Sequence, residues 1–369
     1  MKVAYLLGTL NRGGTETLLL DVINSSQSAP FGIIGIYRNE GTLSDSFRAA
    51  EVPVFRLTPG PVFLVWLYLF RLRKLLIREN VNVVHAQQSL DAVYACLATI
   101  GLPVKVAQTF HSFDFSLSLL SRLLIQLSLK MVDVTIFVSD VQRHFYMTKY
   151  NSKKNYNFAL VYNGINFNKF NGIIINSIRK ELGIHENSYL FGMVGNFVIG
   201  HDQITICHFL ALLVKQDIEF TFLFIGGKDE SNPQLFDNCK SYCANNDLQE
   251  SVFFLGSRSD VPGILPQLDA FFYASDHDTF GISVIEAIAT GIPVFINDWK
   301  VMKEITENGE RAILYRTKDE SDLLDKFSSY YERPETYIEK SLENATWAIQ
   351  TYSIKSHIEQ LFGVYNSLK

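Results

Sequence analysis

The stretch KVAYLLGTLNRGGTETLLLDVIN, residues 2–24, begins with an apolar run, passes through a glycine-rich turn and continues as a helix-like segment. A short apolar run bounded by glycine is typical of a buried strand, and the apolar spacing after Gly14 favours an amphipathic helix. We do not interpret the run as a signal peptide, because it carries one basic residue and breaks at Gly8. The order of strand, turn and helix indicates an α/β fold.

The same alternation of apolar strand candidates and helical stretches continues along the chain in two blocks. It predicts parallel sheets covered by helices on both faces, and therefore two Rossmann-like domains, at residues 1–168 and 169–349. A segment that mixes Asn, Gly and charge, residues 167–184, is predicted to link them. Because ligands of open α/β sheets bind beyond the carboxyl ends of the strands, we expect a cleft between two loop rims. The strand candidates are KVAYLLG, FGIIGIYR, VNVVHA, VKVAQTFH, VTIFVS, NFALVYNG, YLFGMVG, FTFLFIGG, SVFFLGS, AFFYAS and PVFIND.

The composition of the 369 residues, 47% hydrophobic and 19% charged, is that of a globular protein long enough for two domains. The most apolar run, Pro61 to Phe70, ends at Arg71 and is far shorter than the roughly 20 residues of a transmembrane helix. We expect a cytoplasmic protein, because the cysteines form neither a disulfide framework nor a CxxC pair. The cysteines are Cys96, Cys207, Cys239 and Cys243.

Charge is distributed unevenly between the two halves of the chain. Residues 1–170 hold 17 Lys and Arg against 10 Asp and Glu, a net charge of +7, and the remainder carries −12. A basic half could bind an anionic membrane surface, whereas no basic run with interleaved aromatic residues indicates nucleic acid. The segment from Phe63 to Lys74 combines aromatic and basic residues. It is interpreted either as a helix that binds the inner face of the cell membrane or as a core-packed helix with a solvated basic end.

The stretch SDHDTFGISVIEAIATGIPVF, residues 275–295, places a carboxylate in an apolar helix. Gly281, Ile282 and Ser283 open that helix, and their N–H groups with the helix dipole favour an anion such as a phosphate. Glu286 lies about one turn further on, where it could accept two hydrogen bonds from a ribose diol. The alternative is a capping box formed by Ser283 and Glu286. We favour a ligand, because Gly281 and Asp278 precede the helix and a carboxylate among apolar residues needs a partner.

Two further sites follow strand candidates in the first half. His111 ends the strand VKVAQTF and should project toward the expected cleft, where it is either structural or a polarising group. Gly13, Gly14 and Thr15 would let the backbone approach a phosphate or an acceptor closely. The spacing G-x-x-x-x-G-G does not match the G-x-G-x-x-G of dinucleotide-binding proteins, which makes a nicotinamide enzyme a poor alternative.

A series of motifs extends along nearly the whole chain: GGTE, HAQQSLDAVYACLA, FH, VSDVQRHF, VYNGIN, VGNF, FIGG, FLGSRSDV, residues 275–295 and a final helix, IEQLFGVYNSL. Their order and spacing resemble the retaining nucleotide-sugar glycosyltransferases often called family 4, which have the GT-B fold. The resemblance implies that Glu286 binds the ribose of the donor and Asp278, where the family usually has Glu, contacts the donor sugar. It also implies that His111 lies beside the reacting centre and that the final helix, at about 350–369, packs back on the first domain.

The resemblance further implies that strand-exit loops bind the donor through Gly226, Gly227 and Arg258, with Phe280 beside them. The chain departs from the family at two positions. Asn196 and His201 stand where the family commonly has an Arg and a Lys that bind phosphate.

The resemblance therefore predicts a retaining transferase that moves a hexose or N-acetylhexosamine from a nucleoside diphosphate sugar, with UDP expected, to a sugar or lipid-linked acceptor hydroxyl. Bacterial surface polysaccharide or glycolipid synthesis is the expected setting. No Asp-x-Asp pair follows a strand, so neither a metal nor another cofactor is expected. The alternatives are a nucleotide-sugar 2-epimerase of the same fold and a catalytically silent homologue that acts as a partner subunit.

Overall fold

The computed structural model describes residues 1–11, 13–115, 118–150, 157–170, 177–185 and 188–368. The chain divides into two compact units. Unit 1 comprises Met1–Asn166 with Tyr352–Lys369, and unit 2 comprises Phe167–Thr351. Residues 171–176 of the predicted linker lie outside the described residues.

Unit 1 contains a parallel sheet of seven strands in the order β3-β2-β1-β4-β5-β6-β7. The strands are β1 Lys2–Thr9, β2 Gly32–Asn39, β3 Val54–Arg56, β4 Val83–Ala86, β5 Lys105–Phe110, β6 Val134–Phe137 and β7 Phe158–Leu160. The helices that follow them are α1 Gly14–Asn24, α2 Ser44–Ala49, α3 Val65–Arg78, α4 Ser89–Thr99, α5 Leu119–Met131 and α6 Asp140–Lys149.

Unit 2 contains a second parallel sheet, of six strands in the order β10-β9-β8-β11-β12-β13. The strands are β8 Tyr189–Val194, β9 Phe220–Ile225, β10 Val252–Gly256, β11 Ala270–Tyr273, β12 Val294–Asn297 and β13 Ile313–Tyr315. The helices are α7 Ile178–Leu182, α8 Gln203–Lys215, α9 Gln234–Asn245, α10 Val261–Ile264, α11 Ile282–Ala289, α12 Lys300–Ile305, α13 Glu320–Glu332 and α14 Pro334–Tyr352. A last helix, α15 Ile354–Asn366, returns to unit 1.

Strand β1 shows why the sheet of unit 1 needs helices on both faces. Val3, Tyr5 and Leu7 point to one face and pack in a core with α1 and α15. Ala4 and Leu6 point to the other face and pack in a core with α3 and α4. Successive side chains of a strand alternate between faces, so a strand covered on both sides must be apolar at nearly every position.

The core of unit 2 is built largely from phenylalanine. Phe272 of β11 stacks on Phe295 of β12 with ring centroids 4.8 Å apart. Phe327 of α13 meets Phe191 of β8 edge-on at 5.5 Å. Such ring pairs add specific geometry to the burial of a large apolar area, and they hold α13 against the sheet that carries the candidate site.

The predicted fold class is confirmed, since both sheets are parallel and both have the strand order of a Rossmann-like domain. Two short edge strands, β3 and β13, were not among the strand candidates. Each has three residues. Among the described residues, no helix is long and apolar enough to cross a membrane.

Candidate functional site

The loops after β8 and β11 meet at the point where the strand order of unit 2 reverses. The two strands are hydrogen-bonded neighbours, and a backbone bridge joins His201 to Ser275 beyond their carboxyl ends. Helices leave the sheet in opposite directions at such a point, and the crevice between them is where open α/β sheets bind ligands. The candidate donor site therefore lies between these two loops.

Three side chains form a hydrogen-bonded cluster in this crevice. The Tyr273 hydroxyl donates to Asp278 Oδ2 at 2.5 Å and lies 3.2 Å from His201 Nε2. His201 Nε2 lies 3.3 Å from Asp278 Oδ1, and its Nδ1 lies 2.7 Å from the carbonyl oxygen of Asn196. The structure thus brings His201, which is 77 residues before Asp278 in the sequence, into direct contact with that carboxylate. Tyr273, which sequence reasoning did not identify, contacts both.

The surroundings favour the charged forms of both titratable groups. Burial alone would lower the pKa of His201, but the hydrogen bond and charge of Asp278 and the Asn196 carbonyl raise it above its usual value. Burial alone would raise the pKa of Asp278, but contacts with His201, Tyr273 and Ser275 hold it below its usual value. An imidazolium donates from both ring nitrogens, which matches the two acceptors around His201.

Asn196 joins the exits of two neighbouring strands. Its Oδ1 accepts a hydrogen bond from the Gly227 N–H at 2.8 Å, beyond the end of β9. Gly226 must be glycine here, since a Cβ would lie 2.1 Å from the carbonyl oxygen of Gly195. A neutral amide that accepts a backbone hydrogen bond gives Asn196 a structural role that an arginine could not have, because a guanidinium has no acceptor.

Helix α11 begins beside this cluster. Its N-cap residue is Gly281, in the left-handed conformation with φ 83°, and a Cβ there would lie 2.9 Å from Met302 Cε. Glycine has no side chain to cap the first N–H groups, so the helix start suits an anion. The capping box is wrong as an explanation of this helix, because Ser283 lies inside the helix instead of at its N-cap. Phe280, just before the cap, is buried.

Glu286 lies in the second turn of α11 on its less buried side. Val284, Ile285, Ala287 and Ile288 are buried, whereas Glu286 is partly exposed. Ser283, three residues earlier, is also partly exposed, and Ile282 completes the predicted stretch. Glu286 is thus less buried than its apolar neighbours on the helix, which lowers the desolvation cost of its carboxylate.

Arg258 is engaged elsewhere. Its guanidinium forms ion pairs with Glu181, at 2.6 Å, and Asp260, at 2.7 Å. All of its hydrogen bonds in the described part of the chain go to these two carboxylates. The structure brings Asn196, His201, Gly227 and Asp278 together, but it pairs Arg258 with other partners.

Two polar residues that sequence reasoning missed hold the Asp278 loop. Asn297, at the end of β12, donates to the Ser275 carbonyl at 2.8 Å and accepts from its N–H at 2.9 Å. The indole N–H of Trp299 donates to the Asp278 carbonyl at 3.1 Å. The sequence does contain a signal for Asn297, because it is a polar residue at the end of an otherwise apolar strand.

In unit 1, His111 follows β5 and contacts a residue that follows the neighbouring strand β4. Its Nε2 lies 2.8 Å from Gln87 Oε1, and Gln87, which sequence reasoning also missed, is buried. Burial, with a smaller contribution from the charge of His357, lowers the pKa of His111 to about 4. At neutral pH His111 is therefore an uncharged hydrogen-bonding group.

His111 borders a small cavity that polar side chains line together with three leucines, two valines and one isoleucine. The volume open to water centres is about 10 Å³, which is room for a single water molecule. Asn163 Oδ1 is buried there without a hydrogen-bond partner among the described residues. The polar lining is Tyr5, His85, Gln87, Thr109, His111, Asn163 and His357.

Gly13 is the N-cap of α1, and Gly14 and Thr15 are its first residues. The carboxylate of Glu16 folds over this helix start, since a Cβ on Gly13 would lie 2.7 Å from Glu16 Oε2. Burial raises the pKa of Glu16 above its usual value. An acidic side chain at the loop suits a hydroxyl donor better than a phosphate.

Two family models match the chain on either side of the unit boundary. The model described as Glycosyltransferase Family 4 matches residues 12–169, and the model described as Glycosyl transferases group 1 matches residues 174–345. The chain belongs to this glycosyltransferase family. One model therefore covers most of unit 1 and the other covers most of unit 2.

Curated relatives of the glycosyltransferase come from bacteria. One is the Campylobacter jejuni N,N'-diacetylbacillosaminyl-diphospho-undecaprenol alpha-1,3-N-acetylgalactosaminyltransferase, 28% identical over 57% of this chain and 54% of the relative. Another is the Escherichia coli UDP-Gal:alpha-D-GlcNAc-diphosphoundecaprenol alpha-1,3-galactosyltransferase, 24% identical over 81% of this chain and 79% of the relative. The chain spans 54% and 65% of the length of the Campylobacter protein and of a Bacillus anthracis N-acetyl-alpha-D-glucosaminyl L-malate synthase.

Solved structures share the fold over the full length of the chain. HepE from Anabaena, in complex with UDP and glucose, superposes with a TM-score of 0.86 at 18% identity, with 100% of each chain covered. A glycosyltransferase from Rickettsia africae gives a TM-score of 0.86 at 17% identity, covering 100% of this chain and 98% of that one. At these identities the likeness establishes the fold.

Proposed function

We propose that the glycosyltransferase transfers a hexose or N-acetylhexosamine from a UDP-sugar to an acceptor hydroxyl with retention of configuration. The observation that carries this proposal is the cluster of His201, Tyr273 and Asp278 beside the start of α11, at the strand-order reversal of unit 2. It combines a histidine whose charged form Asp278 favours, a carboxylate and a helix N-terminus within one crevice. A donor made of a diphosphate and a polyhydroxylated sugar needs these three groups.

Each predicted residue takes a role in this proposal. The diphosphate leaving group gains negative charge as the glycosidic bond breaks, and the N–H groups at Gly281, Ile282 and Ser283 stabilise that charge together with His201. Glu286 accepts hydrogen bonds from the ribose diol. Asp278 accepts from a sugar hydroxyl through the lone pairs that Tyr273 and His201 leave available.

Loop glycines supply the shape of the donor site. Gly226 and Gly227 keep the β9 exit free of side chains, and Asn196 fixes that exit in place. Phe280, buried before the helix, supports the N-cap. Arg258 reaches a donor phosphate only by leaving Glu181 or Asp260, which makes it the weakest assignment among the predicted residues.

On the acceptor side, we assign His111 to polarise a hydroxyl near the reacting centre and Gly13, Gly14 and Thr15 to the acceptor. His111 is neutral and hydrogen-bonded to Gln87, so it can form a hydrogen bond with an acceptor hydroxyl without adding a positive charge. Glu16 over the α1 start favours a hydroxyl-bearing acceptor at this loop. The names of two relatives contain diphospho-undecaprenol compounds, which supports a lipid-linked acceptor at an anionic membrane surface and a role in surface polysaccharide or glycolipid synthesis.

A donor panel tests the proposal. Calorimetric titration with UDP-, GDP- and ADP-sugars should show binding of a UDP-sugar, and product should form only when an acceptor is added. Product formed from donor alone would indicate the 2-epimerase, and binding without turnover over a broad acceptor panel would indicate the silent homologue. The matched relatives give neither alternative particular support.

A further inference from the structure

Gln87 contacts His111 beyond the carboxyl ends of β4 and β5, and the orientation of its amide is fixed. His111 Nε2 lies 2.8 Å from Gln87 Oε1. At the other end of the same amide, Gln87 Nε2 donates to the carbonyl oxygen of His85 at 3.4 Å. An amide rotated by 180° would bring its oxygen against that carbonyl oxygen, and Gln87 is buried, so its polar atoms need partners inside the protein. The amide oxygen of Gln87 therefore faces the histidine.

The amide oxygen decides which ring nitrogen of His111 carries the proton. Burial lowers the pKa of His111 to about 4, so the ring is neutral near pH 7 and holds one proton. An amide oxygen accepts hydrogen bonds and cannot donate them, so its contact with Nε2 requires the proton on that nitrogen. Nδ1 then keeps its lone pair and can accept a hydrogen bond.

Two other histidines line the same cavity, and their partners act differently. His357 on α15 faces the Tyr162 carbonyl with its Nδ1 at 2.7 Å, which places the proton on the opposite nitrogen, Nδ1. His85 faces the hydroxyl groups of Tyr365 and Thr109, and a hydroxyl can either donate or accept. The cavity as a whole therefore imposes no single tautomer, and the Nε2 proton of His111 depends on its glutamine.

The backbone that follows His111 is held by a second glutamine, from the motif VSDVQRHF. Gln142 on α6 is fully buried and donates from its Nε2 to the Ser112 carbonyl at 3.0 Å. The Tyr146 hydroxyl donates to the same carbonyl at 3.1 Å. Neither bond involves Gln87, so a substitution of Gln87 should change the ring of His111 and leave the loop after β5 in place.

We propose that Gln87 is a positioning residue of the glycosyltransferase, which fixes His111 as the tautomer protonated on Nε2, so that Nδ1 accepts a hydrogen bond from the acceptor hydroxyl. A ring in the other tautomer would present an N–H to that hydroxyl and could not take up its proton. The role of Nδ1 rests on the proposed function, whereas the tautomer rests on the contacts of His111 alone.

Long-range ¹H–¹⁵N correlation spectra of the labelled protein test the tautomer without any turnover, because they distinguish protonated from unprotonated ring nitrogens. The variants His111→Asn and His357→Gln assign the two signals by their loss. Near pH 7, His111 should show a protonated Nε2, whereas His357 should show a protonated Nδ1. A wild-type His111 protonated on Nδ1 would overturn the proposal.

Two substitutions of Gln87 test its role. Gln87→Leu should leave Nδ1 of His111 partly protonated and should not change the signal of His357. Gln87→Glu keeps an acceptor, so it should restore the proton on Nε2, and its carboxylate should raise the pKa of His111 by favouring the imidazolium. The other titratable side chains that line the cavity are the same in both variants, namely Tyr5 on β1, His85 on β4 and His357 on α15.

The neighbouring glutamine provides the matched control. Gln88 is exposed and contacts Arg38, with its Oε1 3.2 Å from Arg38 Nη2. Gln88→Leu should leave the spectrum of His111 unchanged, and circular dichroism should confirm that every variant is folded. A His111 that stays protonated on Nε2 in Gln87→Leu, or an equal change in Gln88→Leu, would contradict the role of Gln87.

Turnover separates this inference from the proposed function. With a donor and an acceptor that react, Gln87→Leu should lower kcat by about 100-fold, the low end of the contribution of a general base. Calorimetric binding of UDP should be unchanged, because Gln87 belongs to unit 1. Wild-type kcat in Gln87→Leu would show that the tautomer does not affect transfer and would overturn the positioning role. Absence of turnover by the wild type with every donor would contradict the proposed function, while the spectra would still decide the tautomer.

Discussion

Glu286 is a residue whose role one substitution can test. Glu286→Gln keeps the size of the side chain but removes its charge, so a ribose diol would lose a charge-assisted acceptor. We expect UDP to bind more weakly by about 1.5–3 kcal/mol, the usual contribution of a hydrogen bond to a charged group. Calorimetric titration measures the change, with exposed Glu310→Gln as the control. Normal UDP binding by a destabilised Glu286→Gln protein would instead assign this carboxylate to helix stability.

His201 should make donor binding depend on pH. Asp278 and the Asn196 carbonyl raise the pKa of His201 above its usual value, which favours the charged ring in the free protein. Binding of UDP should be strongest below this pKa and should weaken as pH rises through it. His201→Lys should remove most of this dependence between about pH 6 and 8, because Lys titrates near 10.4.

His201→Ala serves as the companion variant and should bind UDP weakly at every pH. Titrations of the three proteins at half-unit steps of pH give the comparison. Wild-type affinity that stays constant over this range, with both variants equal to it, would show that the ring is remote from the phosphates and serves only Asp278.

The interaction between His201 and Asp278 should also make the stability of unit 2 depend on pH, in opposite directions for the two residues. The raised pKa of His201 contributes stability that is present below about pH 6.5 and is lost as pH rises through the folded pKa. The lowered pKa of Asp278 contributes stability that is present above about pH 3.9 and is lost as pH falls through the folded pKa. The pair therefore stabilises unit 2 most between these limits.

At the scale of elements, the loop after β11 depends on Asn297 of β12. The buried amide exchanges two hydrogen bonds with the backbone of Ser275 and donates a third to Thr317. Asn297→Ala would leave buried backbone groups without partners, and we expect a loss of about 1–3 kcal/mol in unfolding free energy. UDP affinity should fall as well, because the loop carries Asp278. Chemical denaturation and calorimetry measure the two effects.

Asn297→Asp is the informative control, since it keeps an acceptor for the Ser275 N–H but loses the donor to the Ser275 carbonyl. It should be folded, with intermediate affinity for UDP. If both variants bound UDP as tightly as the wild type, the loop would hold its conformation without Asn297.

Helix α15 should dock on unit 1 less firmly in acid. His357 of α15 is buried with its Nδ1 2.7 Å from the Tyr162 carbonyl, and His85 contacts the Tyr365 hydroxyl at 2.6 Å. Burial lowers the pKa of His357 to about 4 and that of His85 to about 3. The unfolded chain binds protons near pH 6.5, so stability should fall by about 1.4 kcal/mol per pH unit for each histidine between about pH 6 and 4.

Amide exchange along Ile354–Asn366 at pH 6.5 and pH 5 measures this effect, after correction for the intrinsic pH dependence of exchange. His357→Gln removes one of the buried histidines that line the small cavity of unit 1 with His85 and His111, and it should reduce the slope. Protection of α15 that is the same at both pH values would show that these histidines are protonated in the folded protein.

At the scale of the whole molecule, the two units have separate cores and opposite net charges. A ligand that binds only the folded form stabilises it by mass action, by about 2.7 kcal/mol at a hundredfold excess over its dissociation constant. We expect saturating UDP to increase the amide protection of β8, β11 and α11 in unit 2. Hydrogen exchange with and without UDP gives the map. Increased protection confined to unit 1 would show that UDP binds there, and it would contradict the proposed donor site in unit 2.

Much of the architecture follows from local patterns. Eleven segments of apolar character correspond to strands β1, β2 and β4 to β12, because strands of a sheet covered on both faces must be apolar throughout. The exits of two of those strands contain Asn196 and Gly281, whereas only the family resemblance indicates His201 as a candidate. Gly281 in particular is readable from sequence, since a glycine before an apolar helix marks a position where a side chain would obstruct the backbone.

The fold class, and the loops in which we predict the site, can be inferred from sequence alone, because the periods of strands and helices and the positions of glycine are local properties. The tertiary structure alone decided which side chains meet. Tyr273 with His201, Asn297 with Ser275 and His85 with Tyr365 are separated by 72, 22 and 280 residues. Their contacts depend on the order in which parallel strands lie side by side, and no periodicity within a segment encodes that order.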